Sequence, residues 1–239
     1  MKKLDLISKG KSKSLYHSEN PDQLIMEFRN DITAFNAEKF AQLDGKAKVN
    51  NDINTYIMEY LQSHGIKTHL IHRIDDTHAM VKNLKMVPIE AVIRNYAAGN
   101  LCKRYGIEKG RKLQPPLFEF FLKNDILGDP PLRDEHILSF GLASAEDIDA
   151  IKKLTHRVNE LLVPLFAAAG FWLVDFKLEF GRDKDGHLIL GDEFSPDGCR
   201  IWDAKTQEIF DKDRFRQDLG QVIEHYEIVA QKLGLRSNT

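Results

Sequence analysis

The segment VDFKLEFG places three ionisable side chains on one face of a predicted strand. Asp175, Lys177 and Glu179 alternate with apolar residues, and successive side chains of a strand point to opposite faces. The apolar face is predicted to hold Val174, Phe176, Leu178 and Phe180. A cation between two anions, with same-face neighbours about 6.8 Å apart, can bind a metal ion and an anionic substrate together. The solvated face of an edge strand gives the same pattern.

The following strand is predicted to add a fourth charged residue to this group. Asp185-Gly186 is typical of a two-residue hairpin turn between VDFKLEFG and HLILGDEF, and with that turn Glu179 faces Asp192. Carboxylates on opposed residues repel each other unless a cation lies between them. Two carboxylate oxygens from neighbouring strands suit Mg²⁺ bound to nucleotide phosphates. The alternative is that one carboxyl group is protonated or paired with Lys177.

The elements that position these residues are predicted to form an α+β fold. In the first half of the chain, apolar runs separated by turn residues predict an antiparallel meander, interrupted by a helix over residues 49–64. Residues 112–136 contain two Pro-Pro pairs and Gly128. These residues predict a long ordered connection without regular secondary structure.

The second half shows helical periodicity. Apolar residues at three- and four-residue steps predict a helix that is N-capped by Ser144 and that bends or ends at Pro164. A second amphipathic helix is predicted from about Asp213 to Gly234, where the glycine is suited to a C-cap. The sheet-rich part therefore precedes a mixed part.

Composition excludes several classes of protein. With 34 basic and 36 acidic residues the net charge is −2, so no overall field favours nucleic acid or an anionic membrane. The basic start MKKLDLISKGKSK precedes no apolar segment, and no run of 18 apolar residues occurs. Cys102 and Cys199 have no metal-ligand spacing and are predicted to be reduced packing residues. We expect a soluble cytoplasmic protein without zinc.

Two segments are suited to phosphate. Residues 9–13, KGKSK, form a basic turn whose glycine lets the backbone approach an anion, although lysines flank many ordinary turns and no Walker P-loop is present. Arg94 precedes the small residues 97–99, where backbone N–H groups could face a phosphate monoester.

Three further cations are candidates for binding substrate. Arg200 follows the turn SPDG, which is predicted to place it near the Asp192 group. Lys212 and Arg216 are four residues apart at a predicted helix start, so they share a face and could clamp a carboxylate. An ordinary solvated helix face is the alternative for that pair.

The motifs together resemble one family of enzymes. FWLVDFKLEFG, GDEFSPDGCRIWD and MVPIEAVIRNYAAGN resemble signature regions of the phosphoribosylaminoimidazole-succinocarboxamide synthases, and KGKSK, FLKND and DKDRFRQDLG extend the resemblance over nearly the whole chain. The resemblance implies a two-lobed fold, distantly similar to protein kinases, with ATP between an N-terminal lobe of residues 1–88 and a C-terminal lobe of residues 89–239. It also implies a homodimer.

The resemblance implies a role for each candidate residue at the ATP site. Lys11, Lys13 and Lys82 would bind the nucleotide phosphates. The backbone around Val87 and the side chain of Glu90, in a connector over residues 86–90, would bind the adenine edge and the ribose.

The remaining candidates are assigned to catalysis, metal and substrate. Asp175 would orient groups or accept a proton from the incoming amine, Lys177 and Lys123 would neutralise the transferring phosphate, and Glu179 and Asp192 would hold Mg²⁺. Arg94 and position 100 would bind a ribose 5-phosphate, with Arg200, Lys212 and Arg216 as further substrate ligands. The family has serine where this chain has Asn100, which puts that one side-chain contact in question.

Residues 31–51 also depart from the family pattern. The family pattern has a glycine at Ala37, a lysine at Phe40, Ile-Pro at residues 43–44 and a glycine at Ala47. We expect altered loop geometry there. Substrate contacts are expected to survive, because the segment retains Asp31, Phe35, Lys46, Asn50 and Asn51.

The predicted reaction is ATP-dependent amide formation between an aminoimidazole carboxylate ribotide and L-aspartate, through an acyl phosphate, in purine biosynthesis. A kinase of related fold would instead leave phosphate on its product and need no aspartate. A nucleotide-binding regulator without catalysis would bind ATP without turnover. The intact set of Asp175, Lys177, Glu179 and Asp192 argues against a regulator.

Overall fold

A five-stranded antiparallel sheet forms the first half of the fold. The structure, a computed structural model, describes residues 3–35 and 38–235, so the predicted departure at Ala37 lies outside the described residues. The strand order is β1-β2-β3-β7-β6. The strands are β1 (Leu6–Lys9), β2 (Lys13–His17), β3 (Gln23–Phe28), β6 (Leu70–Arg73) and β7 (His78–Lys82). A separate hairpin consists of β4 (Asp31–Ala34) and β5 (Lys39–Gln42).

A second antiparallel sheet lies at the centre of the remaining chain. Its order is β10-β9-β8-β11-β12, with β13 also paired to β11. The strands are β8 (Lys85–Tyr96), β9 (Lys112–Leu122), β10 (Pro131–Leu132), β11 (Phe171–Arg182), β12 (Leu188–Gly191) and β13 (Cys199–Asp203). Strand β11, which carries the alternating charges, is therefore flanked by partners on both sides.

Within residues 3–35 and 38–235, six helices and one short 3₁₀ helix over Asp125–Leu127 pack on these sheets or connect their strands. The helices among the described residues are α1 (Lys46–Ser63), α2 (Asn100–Tyr105), α3 (Asp134–Ser139), α4 (Ala145–Ala168), α5 (Asp213–Arg216) and α6 (Val222–Lys232). The predicted N-cap is confirmed, because Ser144 Oγ accepts a hydrogen bond from the Asp147 N–H at 3.1 Å.

One hydrophobic core joins the two sheets. Its buried side chains include Met26 of the first sheet, Ile57 of α1, Phe166 of α4 and Phe176 of β11. A parallel bridge between Thr68 and Leu190 also links the two parts. The predicted α+β fold is confirmed. The predicted division of the chain at residue 88 falls within β8 and stays a prediction.

The predicted irregular connection over residues 112–136 is wrong in its first part. Residues 112–122 form strand β9, which pairs with β8. Pro115 and Pro116 lie where the register shifts between Arg94 and Tyr96 of β8. Prolines are compatible with a strand at such an irregularity, because no ladder hydrogen bond is needed from them there. Residues 86–90, the predicted connector, lie in strand β8.

The helices of the second half differ in extent from the predicted ones, since α4 does not end at Pro164, one of the two predicted outcomes, and the second helix is divided. Helix α4 continues through Pro164 to Ala168; residues such as Leu162 and Phe166 bury its apolar face on the core, and this burial offsets the lost backbone hydrogen bond. The predicted single helix from Asp213 to Gly234 is two helices. Asp218, Gly220 and Gln221 have φ of 57°, 69° and 50°, which interrupts the α-helical backbone between α5 and α6.

Candidate active site

The hairpin between β11 and β12 has a different register from the predicted one. Glu179 lies opposite Gly191, not Asp192. The loop has three residues, because Asp183 N–H donates to the His187 carbonyl at 3.0 Å and Gly186 has φ of 83°, as in three-residue hairpin loops. The Asp183 side chain also accepts from the N–H groups of Asp185 and His187. This side-chain contact stabilises the longer loop over a two-residue turn.

Asp192 nevertheless joins the charged group of β11. It follows the end of β12 with φ of 62°, and its Oδ2 lies 3.3 Å from Lys177 Nζ. Lys177 also contacts Glu179 directly and Glu90 Oε1 at 3.0 Å. Lys177 thus connects the two carboxylates that the register prediction had placed face to face.

The predicted alternation in β11 is correct except at Val174. Phe176, Leu178 and Phe180 belong to the main core, whereas Val174 packs in a second small cluster with Trp202. The cause is a register irregularity between Leu173 and Asp175 in the pairing with β13. A bulge of this kind places two consecutive side chains on the same side of a strand.

Lysines surround the carboxylates of this group. Lys123 follows β9 and contacts Glu179, while Lys13 at the start of β2 contacts both Asp192 and Glu193. Ser12 Oγ donates to Glu193 Oε1 at 3.1 Å. Glu193 was missed in the sequence, although it directly follows Asp192 and its charge was the available signal.

Burial and charge shift the pKa values in this cluster. Burial opposes ionisation of Glu179, but the positive charges of Lys177, Lys123 and Lys13 outweigh it and lower the pKa of Glu179 to about 2. Burial raises the pKa of Asp192 to about 7 and lowers the pKa of Lys13 to about 7. Burial opposes the positive charge of Lys177, but the carboxylates of Glu179 and Glu90 outweigh burial and raise the pKa of Lys177. The cluster holds an ionised carboxylate next to a permanently charged lysine.

Arginines and carboxylates alternate in a chain beside this cluster. Asp175 Oδ2 accepts from Arg94 Nη1 and from Arg200 Nη1, both at 2.8 Å. Arg94 Nε donates to Glu119 at 2.7 Å, and Arg200 Nε donates to Asp213 at 2.8 Å. Asp175 is therefore held by two cations. Arg200 lies beside the charged group, as predicted, and contacts it through Asp175.

A cleft of about 670 Å³ brings most of the predicted site residues together. Its wall includes Lys11, Lys13, Lys82, Glu90, Lys123, Asp175, Lys177, Glu179, Asp192, Arg200, Lys212 and Arg216. An apolar part of the wall comes from Leu15, Leu24, Met26, Val81, Leu84 and Met86. A cavity with one apolar region and a few convergent charges is typical of a site for a nucleotide or another small molecule.

Three predicted residues lie outside the wall of the cleft. Val87 and Arg94 are each 7% exposed, and Asn100 is an exposed first residue of α2. Between Met86 and Glu90 the register of β8 with β11 shifts, so that residues 87–89 lie opposite the single residue Phe180 of β11. This irregularity interrupts the regular backbone pairing between the two strands there. The Ala97 N–H donates to the Arg111 carbonyl at 2.8 Å. It is therefore already paired, whereas the prediction had it facing an anion.

Two retained residues of the 31–51 segment, Lys46 and Asn51, lie outside the wall of the cleft. Both are 0% exposed. Lys46 Nζ lies 2.6 Å from Asp197 Oδ2 in a buried ion pair, and Asn51 donates to the Asp75 carbonyl at 2.9 Å. Burial opposes ionisation of Asp197, but Lys46 and Lys212 lower its pKa to about 2. The retained Lys46 of the 31–51 segment therefore holds Asp197 of the SPDG turn, which borders the cleft.

Two further expectations concern metals and thiols. Among the described residues, three metal-ligating side chains come within reach of one another only at the hairpin residues Asp183, Asp185 and His187, outside the cleft. Cys102 and Cys199 are free thiols, as predicted. No helix of the described residues is long and apolar enough to cross a membrane.

A cleft between two antiparallel sheets, lined by lysines and carboxylates and extended by arginines, is the kind of site found in enzymes that act on phosphorylated anions. Comparison with known proteins identifies the family. The family described as SAICAR synthetase matches residues 6–233. The chain belongs to this family, whose members are ligases, and the resemblance predicted from its motifs is confirmed.

Individual relatives match over nearly their whole length. The phosphoribosylaminoimidazole-succinocarboxamide synthase of Idiomarina loihiensis is 54% identical over 235 residues, which cover 98% of this chain and 99% of the relative. The crystal structure of the synthase from Ehrlichia chaffeensis has a TM-score of 0.95 and 44% identity, covering 98% and 100% of the two chains. A SAICAR synthetase in complex with ADP has a TM-score of 0.94 and 40% identity, with the same coverage.

Proposed function

We propose that this chain is an ATP-dependent ligase that joins L-aspartate to the carboxylate of a 5-aminoimidazole ribotide, giving the succinocarboxamide ribotide, ADP and phosphate in purine biosynthesis. One observation carries the proposal: a single cleft combines the lysine–carboxylate cluster with the arginine–carboxylate chain. The first suits the phosphates of ATP, and the second suits an anionic ribotide and a dicarboxylic amino acid. The names of the relatives support the same activity.

The proposed reaction has two steps. The imidazole carboxylate oxygen attacks the γ-phosphorus of ATP, forming an acyl phosphate and releasing ADP. The aspartate amine then attacks the acyl carbon, and phosphate leaves as the amide forms. Lys11, Lys13, Lys82, Lys123 and Lys177 are proposed to neutralise phosphate charge. Asp175, held between Arg94 and Arg200 at 2.8 Å each, is proposed to orient the groups and to accept a proton from the amine.

Glu179 and Asp192 are the proposed ligands of Mg²⁺. The donor set fits, because Mg²⁺ at nucleotide sites uses one or two carboxylates together with substrate phosphates and water, and Glu179 is held ionised. When bound there, Mg²⁺ would neutralise charge on the phosphates of ATP. Val87 and Glu90 are proposed to bind adenine and ribose, and Arg94, Asn100, Arg200, Lys212 and Arg216 to bind the two other substrates.

The location and assembly of the protein are also proposals. A cytoplasmic enzyme is supported by the free thiols of Cys102 and Cys199. The homodimer and the two lobes, residues 1–88 and 89–239, rest on the family resemblance. Size-exclusion chromatography with light scattering distinguishes a monomer from a dimer.

ADP release in the presence of the ribotide, with and without aspartate, tests the proposed function. The ligase predicts ADP and free phosphate in equal amounts only when aspartate is present. A kinase predicts ADP release without aspartate and phosphate retained on the product. Transfer of ¹⁸O from the labelled imidazole carboxylate into the released phosphate is expected, and its absence would contradict the acyl phosphate.

A further inference from the structure

We propose that Asp213 is a positioning residue that holds Arg200 and Arg216 in place for the anionic substrates; this inference rests on the proposed function. Asp213 is the first residue of α5 and is 7% exposed. Its Oδ2 accepts from Arg200 Nε at 2.8 Å, and its Oδ1 accepts from Arg216 Nη1 at 2.5 Å. Each carboxylate oxygen therefore serves one of two arginines that line the cleft.

The contacts of Arg200 leave one nitrogen for a ligand. Nε and Nη1 donate to Asp213 and Asp175, so Nη2 is the nitrogen without a protein hydrogen bond among the described residues. Nη2 lies against Gly99, where a Cβ atom would come within 2.5 Å of it. The guanidinium is thus fixed on three sides. A fixed guanidinium loses little side-chain entropy when it binds an anion.

Arg216 depends on Asp213 more strongly. Its side chain is 34% exposed, and Asp213 is its ion-pair partner within the described residues. A long side chain with one anchor point is disordered when the anchor is removed, and the ordering must then accompany ligand binding. Two guanidinium groups around one carboxylate would also repel each other without it.

The backbone around Asp213 is itself fixed. The buried Asp211 accepts from the Asp213 N–H at 2.7 Å and from the Ile201 N–H at 2.8 Å, which ties the start of α5 to β13 next to Arg200. Burial opposes ionisation of Asp213, but Arg200 and Arg216 outweigh it and lower the pKa of this carboxyl group. Asp213 is thus an anion in a fixed position between the two arginines.

Asp213→Asn tests the proposal by steady-state kinetics. An amide can accept from one arginine only, since its NH₂ group faces the other donor. We expect the KM for aspartate or for the ribotide to rise at least about tenfold, the size of effect that a lost charged hydrogen bond gives, with the KM for ATP changing less than about threefold. Asp213→Glu restores a carboxylate and is expected to recover part of the loss.

Glu208→Gln is the matched control. Glu208 accepts from Arg214 Nη1 at 3.3 Å and contacts His225 in the same part of the chain, but neither Glu208 nor Arg214 lines the active-site cleft. Its KM values are expected to stay at the wild-type level. Equal KM changes for all three substrates in Asp213→Asn, or the same changes in Glu208→Gln, would show a general structural role and overturn the proposal.

A readout without turnover separates this proposal from the proposed function. In the ¹⁵N NMR spectrum of arginine side chains, the Nε–H of Arg200 is expected to exchange slowly with solvent in the wild type and rapidly in Asp213→Asn. Unchanged exchange in a folded variant would refute the positioning role. If the wild type released no aspartate-dependent ADP, the proposed function would fail while the exchange result would still decide whether Asp213 holds the arginine.

Discussion

At the scale of single residues, the centre of the candidate site is a balance of opposite charges. Glu179 is 1% exposed and contacts both Lys177 and Lys123. Its ionised state depends on these lysines, because burial alone would favour the protonated acid. The lysines that neutralise the carboxylates in this structure are the same side chains that are proposed to bind phosphate. Binding of a nucleotide is therefore expected to redistribute these contacts.

Alanine at position 179 or 192 is expected to abolish magnesium-dependent ADP release while the protein stays folded. Each change removes a proposed hard-oxygen ligand of Mg²⁺. Asp185→Ala, an exposed carboxylate at the tip of the same hairpin, is the control and is expected to keep full activity. Circular dichroism checks folding, and undiminished activity in either site variant would contradict the metal assignment.

Lys212 is expected to give substrate binding a pH dependence. Burial lowers the pKa of Lys212 to about 8, against the attraction of Asp197. The side chain is cationic below that pH and loses its charge as the pH rises above it, so the KM for aspartate is expected to increase above pH 8. Lys212→Arg keeps its charge and should remove this increase. The same pH profile in both proteins would contradict the assignment.

At the scale of elements, short irregularities place the functional side chains. The bulge in β11 turns Asp175 toward Arg94 and Arg200. The three-residue loop after β11 moves Asp192 beyond the end of β12, where its positive φ lets it approach Lys177. Regular strands alone would present these groups at other heights along the sheet.

Gly99→Ala is expected to reduce aspartate-dependent activity at least about tenfold. Gly99 has φ of 55°, and a Cβ atom there would lie 2.5 Å from Arg200 Nη2 and 2.9 Å from its Cζ, which would push the guanidinium away from Asp175 and Asp213. Gly106→Ala is the control for the positive φ, because Gly106 has φ of 64° and ψ of 27° with nothing within 4 Å of the added atom, whereas Gly99 has ψ of −134°. Each variant carries backbone strain of its own, about 1–3 kcal/mol for a residue in a sparsely populated region, so folding is checked by circular dichroism. Equal activities of the two variants would contradict the steric account.

At the scale of the whole molecule, a buried ion pair links the two halves of the chain. Lys46, the first residue of α1, pairs with Asp197 of the turn before Arg200. Asn50 and Tyr226 also donate to Asp197, at 3.0 and 2.9 Å. Helices α1 and α6 thereby fix a turn that borders the cleft. This ion pair joins segments about 150 residues apart in sequence. The loss of either partner should therefore lower the free energy of unfolding.

Lys46→Met is expected to lower the free energy of unfolding by about 3–5 kcal/mol, because it leaves the buried Asp197 carboxylate without its direct ion-pair partner. Urea denaturation measures the change. Lys48→Met, two residues along the same helix at an exposed pair with Asp76, should change stability by less than about 0.5 kcal/mol. The double variant Lys46→Met/Asp197→Asn should lose less than the single one. A loss from Lys46→Met no greater than that from Lys48→Met would contradict the prediction.

The sequence by itself determined the type of several elements and the family. Period-2 alternation identified β11, helical spacing and Ser144 identified α4, and local motifs identified the family over nearly the whole chain. These features depend on residues close together in sequence, since the backbone fixes the period of each element. The grouping of the charged face of β11 with Asp192 was also predictable, although the register that was predicted for it was wrong.

Only the tertiary structure decided how distant side chains pair. The roles of Lys46, Glu193 and Asp213 depended on partners brought together by packing of α1, β2 and β13. A buried charge is stable only when a partner of opposite charge lies next to it. That partner can come from a distant part of the chain, so no local pattern identifies it. The identity of the charged residues was therefore local information, while their positions relative to one another were set by the whole fold.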